Sequence, residues 1–400
     1  MKYELLLPAG DLERFKFACL YGADAVYIGG FDYSLRANAN NFSIEDINEA
    51  TTYAHKLNKK VYVTVNMIFH NEDLALLDKY LKELENANVD ALIVSDFAVI
   101  EAIKRLSIKT PFFISTQKSI TSLEAIKFYK SLGAYRVVLA RECTKDDIKY
   151  IKENIDTEVE VFIHGAMCTS YSGRCILSNY ITKRDSNRGG CSQVCRFNFR
   201  SNLLNQDYCI SSKDLNMIDY ISELIDLGVE SYKVEGRMKS LYYIATVANA
   251  YRTIIDKKLD NSLNESDIKY YKKVLERVSN RENIPQFYNG LPGVEGQYFT
   301  GRQEVSNQDF LGLVLDYDKE TGYATIEQRN KFSVGDEVEI FGPSLKVTKI
   351  KIKDIINDKG ESVASASHAQ EIIKIYIPFI VSKYDIMRVS ISWLYSIKVV

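Results

Sequence analysis

Four cysteines near the middle of the chain are the residues whose type and spacing most directly indicate chemistry. Cys168, Cys175, Cys191 and Cys195 fall in one stretch, which reads GAMCTSYSGRCILSNYITKRDSNRGGCSQVCRF. Thiolates are soft ligands, and four of them satisfy either a tetrahedral zinc ion or an iron–sulfur cluster. The stretch is therefore a candidate metal centre.

The spacing of these cysteines favours a cluster over zinc. It reads C-x6-C, then 15 residues, then C-x3-C, whereas structural zinc ribbons usually present paired C-x2-C knuckles. Structural zinc and unligated core thiols stay open as the other interpretations. The remaining cysteines, Cys19, Cys143 and Cys209, are isolated in the sequence and are expected to be buried structural thiols.

The same region was searched for protease chemistry. The chain has no H-E-x-x-H zinc helix and no G-x-S-x-G nucleophile elbow. His164 with Cys168 imitates a thiol protease dyad, but the three further cysteines favour ligation. His164 is a candidate acid, base or partner of the metal centre, and a packed histidine at a strand end is an equal alternative.

The elements that must position these residues follow a regular alternation up to about residue 240, in which short aliphatic runs alternate with segments of helical periodicity. Eight parallel strands with crossover helices close most simply into a (β/α)8 TIM-like barrel. An open doubly wound sheet is the alternative, disfavoured because no glycine-rich fingerprint follows the first strand. The predicted strands are Glu4–Ala9, Ala25–Gly29, Lys60–Asn66, Ala91–Ser95, Phe112–Thr116, Arg136–Ala140, Glu158–His164 and Tyr232–Glu235.

One connection breaks this rhythm. About 50 residues separate the seventh strand from a helix predicted over Leu215–Leu227, and loops of that length are usually functional. We therefore predict a barrel over residues 1–255 with a cysteine-bearing insertion at 165–214. A helical linker over 256–307 and a small all-β barrel domain over 308–400 follow, the latter from short alternating strands.

The bulk properties set limits on partners and location. A net charge of −2 gives no global electrostatic argument for nucleic acid, so any basic surface is local. The apolar run Leu5–Leu7 is far too short for a signal peptide, and no later stretch approaches a membrane span. We expect a cytoplasmic protein with no membrane partner, in which thiols stay reduced.

Polar residues follow the predicted strands at the carboxyl ends, which is the catalytic face of such barrels. Arginines that converge there suit an anionic ligand, although pairs such as Arg141 with Glu142 are equally explained as ion pairs at strand ends. The candidate catalytic residues are His164, Arg141, Glu235 and Arg237. The candidate substrate contacts at this mouth are Arg36, Asn66, Gln117 and Lys233.

The insertion also carries a basic and aromatic surface. Lys183 and several arginines are interleaved with aromatic residues such as Tyr171 and Tyr180. This mixture suits phosphate contacts and base stacking on unpaired RNA, while an ordinary solvated loop is an equal alternative. The candidate substrate contacts in the insertion are Arg174, Arg184 and Arg188.

Taken together, these motifs resemble the collagenase-like peptidase family of unassigned catalytic type. The resemblance is carried by EVFIHGAMC-x6-CILS, NRGGCSQVCR and KVEGRMK, and it runs from LLLPAG through the whole barrel to DYDKETGYATIEQRNKFSVGDEVEIFGP near the end. Within the family, the chain is most similar to the tRNA hydroxylation branch. A sister branch acts on a cytidine of ribosomal RNA.

The resemblance implies a function that composition and spacing alone do not. It implies prephenate-dependent 5-hydroxylation of the wobble uridine, with the tRNA anticodon region and prephenate as partners. It also implies that the four cysteines hold an iron–sulfur cluster, expected to be of the 4Fe–4S type. Whether the chain acts alone, as a homodimer or with a paralogous subunit stays open, and a peptidase or a non-catalytic RNA-binding protein stapled by metal are the alternative functions.

Overall fold

In a computed structural model of the chain, described for residues 3–35, 41–201, 203, 206–279, 281–298 and 308–391, eight parallel strands form a closed barrel. The eighth strand pairs with both the first and the seventh, which closes the sheet. This confirms the predicted (β/α)8 architecture. The barrel strands are Glu4–Pro8, Ala25–Gly29, Lys60–Val65, Ala91–Val94, Phe112–Ile114, Arg136–Val138, Glu158–Gly165 and Ser231–Val234.

Helices connect these strands and begin where the sequence provides caps. Ser43 and Thr144 each accept a hydrogen bond from the backbone of an aspartate three residues on, and both form complete capping boxes. The helices are Leu12–Leu20, Ile44–Lys56, Leu77–Asn86, Phe97–Leu106, Leu123–Ser131, Lys145–Asn154, Leu177–Thr182, Ile221–Asp226, Leu241–Leu259 and Glu265–Val278.

The predicted helix over Leu215–Leu227 is wrong at its start. Asp214–Asn216 is a strand, and Leu215 pairs with Gly165 in antiparallel register. A 3-10 turn at Ile218–Tyr220 precedes the short helix Ile221–Asp226. The extended segment gives the last residues of the long seventh strand a hydrogen-bonding partner, a long-range requirement that apolar spacing cannot reveal.

A network of buried charges fills part of the barrel interior. Arg136 Nη1 donates to Glu4 Oε1 at 2.5 Å and to Glu160 Oε2 at 3.1 Å, and Lys233 Nζ donates to Glu160 Oε1 at 2.7 Å. Burial alone would raise the pKa of Glu4, but the charge and hydrogen bond of Arg136 outweigh it and lower the pKa. The two carboxylates and two cations thus neutralise each other inside the barrel.

The insertion is fastened to the barrel at two places. Arg188 forms a two-pronged ion pair with Asp73, with Nη2 to Oδ1 at 2.8 Å, and Nη1 donates to the carbonyl of Ile68 at 2.7 Å. Farther along the rim, Glu142 accepts hydrogen bonds from the backbone N–H of Ser172 at 2.6 Å and from its hydroxyl at 2.5 Å. These contacts fix the insertion beside the carboxyl ends of the strands.

The chain divides into two compact units, Met1–Lys272 with Arg281–Glu304 and Lys273–Asn280 with Val305–Val400. The second unit contains a six-stranded antiparallel sheet that forms a half-barrel around an apolar core that includes Val314, Ile326 and Ile340. This bears out the predicted C-terminal all-β module. Its strands are Phe310–Asp318, Tyr323–Gln328, Glu337–Phe341, Thr348–Lys351, Ile372–Tyr376 and Ile386–Val389.

Shorter strands complete the described residues. Phe199–Ser201 pairs with Gln206–Tyr208, Ser211–Ser212 pairs with Gln297–Tyr298, and Phe332–Ser333 pairs with Ser365–Ala366. Asn283–Ile284 extends the barrel sheet beside Asp214–Asn216. Within the described ranges, no helix is both long enough and apolar enough to cross a membrane.

Breaking the buried network should destabilise the barrel. Arg136→Met leaves Glu4 and Glu160 with an uncompensated buried charge, so we expect the free energy of unfolding in urea to fall by about 3–5 kcal/mol. The control is Arg105→Met, because Arg105 pairs with Asp78 at the surface and its loss should change stability little. Equal losses in the two variants would contradict this view of the interior.

The Arg188–Asp73 pair should hold the insertion at neutral and mildly acidic pH. The hydrogen bond from Arg188 lowers the pKa of Asp73 from 3.8 to about 2. The stabilisation is therefore complete above about pH 4 and is lost as the pH falls through about 2. We expect Asp73→Asn to speed proteolytic cleavage within 165–214 at neutral pH, whereas Asp78→Asn should not. Unchanged cleavage in Asp73→Asn would show that this pair does not fasten the insertion.

Candidate active site at the barrel mouth

A small cavity opens at the carboxyl ends of the barrel strands, with a solvent-accessible volume of about 60 Å³. Its wall carries three cations against one carboxylate, which makes it suited to an anionic group. Six of the residues predicted from their positions after strands lie here together. They are Asn66, Gln117, Arg141, Lys233, Glu235 and Arg237.

Arg141 and Glu235 face each other across this cavity. Arg141 Nη2 lies 3.8 Å from Glu235 Oε2, and Nη1 donates to the carbonyl of Ala166 at 2.5 Å. The guanidinium also lies 4.2 Å from the ring centroid of Phe162, a cation–π contact that fixes its plane. Among the described residues, Arg141 Nε has no hydrogen-bond partner although the side chain is nine-tenths buried. This nitrogen can therefore still donate to a ligand.

Arg237 is held more completely by the protein. Its Nη2 donates to Asn41 Oδ1 at 2.5 Å, and its Nη1 donates to Ser34 Oγ at 3.0 Å. Lys233 is likewise committed to Glu160 and lies over the ring of Tyr27 at 4.6 Å. Both cations thus contribute positive potential to the cavity from fixed positions, which suits orientation of a ligand.

Uncharged groups complete the wall. Asn66 Nδ2 donates to Ser115 Oγ at 3.2 Å, and within the described ranges Asn66 Oδ1 has no donor. Thr64, Ser115 and Thr116 also line the cavity, and the sequence reasoning missed them. Ser115 and Thr116 directly follow the fifth strand, so the rule that found Gln117 could have found them too. Arg36 lies outside the described residues.

His164 lies elsewhere. It is fully buried, its Nδ1 is 3.2 Å from Tyr251 Oη, and its ring also contacts Tyr243 on the helix Leu241–Leu259. Burial, and to a lesser extent the charge of Lys239, lower the pKa of His164 to about 3, so the imidazole is neutral at physiological pH. The structure therefore separates His164 from the cavity, and its catalytic role stays a prediction.

The cysteine loop packs against the cavity wall. Gly173, two residues before Cys175, has φ +80°, and a Cβ added there would lie 3.0 Å from Gln117 Nε2 and 3.8 Å from Cys168 Sγ. The backbone at Gly173 thus lies close to both a cavity residue and a cysteine. The loop that carries the thiols is in direct contact with the polar mouth.

Three of the four sulfur atoms of the loop lie near one another. Burial raises the pKa of Cys195, Arg196 opposes this, and the charges of Cys168 and Cys191 raise the pKa further, so these three thiols lie close enough to interact. Backbone N–H groups of Leu177 and Gln193 each donate to a cysteine Sγ at 3.4 Å, to Cys175 and Cys191 respectively. Hydrogen bonds from backbone N–H groups to cysteine sulfur are also a feature of iron–sulfur sites.

The four cysteines of the loop are the ligand type that an iron–sulfur cluster requires, but the described side chains are not arranged around a metal ion. Four cysteines on one loop supply the soft ligands such a cluster requires. In the part of the chain that the structure describes, no group of three or more His, Cys, Asp or Glu side chains is arranged to hold a metal ion. The predicted ligand set, Cys168, Cys175, Cys191 and Cys195, stays a prediction. By contrast, Cys19, Cys143 and Cys209 are buried, as expected of structural thiols.

The basic surface of the insertion separates into two groups. Arg174 and Arg184 are exposed, and Tyr180, which lies between them in the sequence, is 79% exposed. Arg188, the third predicted contact of the insertion, instead forms an ion pair with Asp73 and donates a hydrogen bond to the carbonyl of Ile68. The exposed cations and rings can meet phosphates and bases, while Arg188 fixes the loop that carries them.

Two family profiles match this chain. Residues 10–298 match Peptidase family U32, and residues 306–388 match the Peptidase family U32 C-terminal domain. Together the two profiles span the barrel and the half-barrel.

Three named relatives match this chain, two of them over nearly the whole length and the third over part of it. The "tRNA hydroxylation protein P1" of Bacillus subtilis (strain 168) is 43% identical over 97% of this chain and 94% of its own length. The "Collagenase" of Porphyromonas gingivalis is 31% identical over 92% of this chain and 94% of its own length. The "23S rRNA 5-hydroxycytidine C2501 synthase" of Escherichia coli (strain K12) is 39% identical over 64% of this chain and 39% of its own length. The chain belongs to peptidase family U32.

Proposed function

We propose that this chain is an RNA-modifying enzyme that takes part in 5-hydroxylation of the wobble uridine of tRNA, with prephenate as co-substrate and an iron–sulfur cluster as cofactor. The observation that carries the proposal is the contact between the cysteine loop and the cavity through Gly173. It brings candidate cluster ligands to the face of the barrel on which enzymes of this fold act.

The RNA substrate is supported from two sides. Relatives over nearly the whole chain or most of the barrel carry names that refer to hydroxylation of tRNA or of a ribosomal RNA cytidine. The exposed arginines and tyrosines of the insertion suit an unpaired segment, because phosphates pair with guanidinium groups and bases stack on rings. An anticodon loop offers such unpaired bases.

The cysteines would hold the cluster through Cys168, Cys175, Cys191 and Cys195. When bound, the cluster supplies one-electron transfer, and four protein thiolates leave no iron position open to substrate. The N–H groups of Leu177 and Gln193 would stabilise the thiolates at Cys175 and Cys191. Glu142 would hold the loop in place through Ser172.

The cavity suits the carboxylates of prephenate. Arg141 offers a guanidinium whose Nε still lacks a partner among the described residues, and Asn66 and Gln117 offer amides beside it. Arg237 is oriented by Asn41 and Ser34 and acts chiefly through its charge. Arg174 is exposed and suits RNA better than a small anion.

A peptidase is the second candidate, since one relative is named a collagenase. Acyl transfer needs a nucleophile within hydrogen-bonding reach of a base. Ser115 lines the cavity, but the cavity wall contains no histidine among the described residues, and His164 is buried against Tyr251. The geometry therefore favours RNA modification.

Deleting the gene should remove 5-hydroxyuridine from bulk tRNA in a strain that has no paralogue. A plasmid copy should restore it, whereas a copy with Cys191→Ser should not, because one thiolate ligand is missing. Cys209→Ser is the matched control, since this thiol is buried and donates to the carbonyl of Tyr298 at 3.0 Å, a contact that serine keeps. The measurement is nucleoside analysis by mass spectrometry, and an unchanged 5-hydroxyuridine level after deletion would refute the proposal.

A further inference from the structure

Three aromatic rings form a cluster on the outer side of the barrel rim. Phe97, the first residue of the helix Phe97–Leu106, packs with Phe128 and Tyr129 of the helix Leu123–Ser131 at centroid distances of 6.4 and 6.2 Å. Phe97 is 49% exposed and Phe128 is 51% exposed. We call these three residues with Lys118 the rim platform. Large apolar side chains that adjoin one another at a surface are less common than isolated ones, and they mark contact sites.

Two cations, Lys118 and Arg174, lie near the three rings. Lys118 Nζ lies 4.5 Å from the centroid of the Phe97 ring. Partial burial lowers the pKa of Lys118, the nearby charge of Arg174 lowers it further, and Asp96 opposes the shift. The carboxylate of Asp96 already accepts hydrogen bonds from the backbone N–H groups of Ala98 and Phe69. Lys118 and Arg174 thus lie close enough to interact, and the two cations exceed the single carboxylate of Asp96 by one positive charge.

The platform adjoins the cavity along the chain. Lys118 directly follows Gln117, which lines the cavity and meets the cysteine loop at Gly173. Arg174 directly follows Gly173, and its charge acts on both Lys118 and Tyr129. If one nucleotide of an RNA strand enters the mouth beside the cysteines, the adjacent nucleotide therefore lies near these rings and cations.

We propose that the rim platform binds an unpaired RNA nucleotide next to the one that enters the cavity, with its base against the exposed ring of Phe128 and the exposed edge of Phe97, and its phosphate beside Lys118 and Arg174. This inference rests on the proposed function, because it takes RNA as the substrate. Paired RNA does not fit, since its bases are stacked on one another and their faces cannot reach the rings. Aromatic rings interleaved with cations are the combination that recognises single strands.

The test is binding of a fluorescently labelled RNA hairpin with an unpaired uridine loop to the full chain, followed by anisotropy. We expect Phe97→Ala with Phe128→Ala to raise Kd roughly tenfold, the effect of losing one base stack. The matched control is Tyr135→Ala, because Tyr135 is 56% exposed but precedes the sixth strand, at the opposite end of the barrel. It should leave Kd unchanged.

The charge contribution has its own readout. Lys118→Gln should reduce the slope of log K against log salt by roughly 0.7, the value for one phosphate contact on a single strand. Lys109→Gln, an exposed lysine before the fifth strand, should leave the slope unchanged. Far-UV circular dichroism confirms that each variant is folded, and Phe97→Tyr should retain binding because it keeps a ring.

The outcomes separate this inference from the proposed function. If the wild-type chain does not bind the hairpin, the proposed RNA substrate fails and the platform fails with it. If the wild-type chain binds and the double variant matches Tyr135→Ala, only the platform is overturned. Equal losses for the hairpin and for a fully paired duplex would also overturn it, since base stacking would not be involved.

Discussion

The charges inside the barrel must balance, and the arrangement of the mouth depends on this constraint. Glu4 and Glu160 are buried beside Arg136 and Lys233, and any one of them left alone would be costly. Lys233 extends from this network to the cavity wall, so its position there is set by Glu160 from below. Lys233 acts from this fixed position through its charge, whereas Arg141 keeps an Nε donor without a partner among the described residues and is the cation best placed to meet a ligand.

The insertion adds two surfaces beside the polar cavity, namely the cysteine loop and an exposed basic and aromatic surface. The cysteine loop touches the cavity at Gly173, and the arginine and tyrosine side chains of the same insertion remain exposed beside it. Arg188 and Glu142 hold this loop down, which an enzyme needs if groups from distant parts of the chain are to act on one substrate. A small anion, an RNA base and a cluster could therefore meet within one mouth.

The sequence predicts those features that local patterns determine. Short aliphatic runs predicted the barrel strands to within a few residues. The rule that functional residues follow the carboxyl ends of the strands predicted six residues that line one cavity, namely Asn66, Gln117, Arg141, Lys233, Glu235 and Arg237. Features that depend on residues distant in the sequence were not predicted. Asp214–Asn216 is a strand because it pairs with the seventh strand at Gly165. Arg188 forms an ion pair with Asp73, and Phe97 packs against Phe128, although both partners are distant in the sequence.

The central claim is that the cysteine loop beside the cavity holds an iron–sulfur cluster. The most direct measurement is the iron and acid-labile sulfide content of protein purified without air, together with its absorption spectrum. The account predicts iron and sulfide in equal amounts, about four of each per chain, with the broad visible absorption of thiolate-bound iron. Zinc in place of iron, or protein that holds neither metal nor sulfide when prepared in this way, would contradict it.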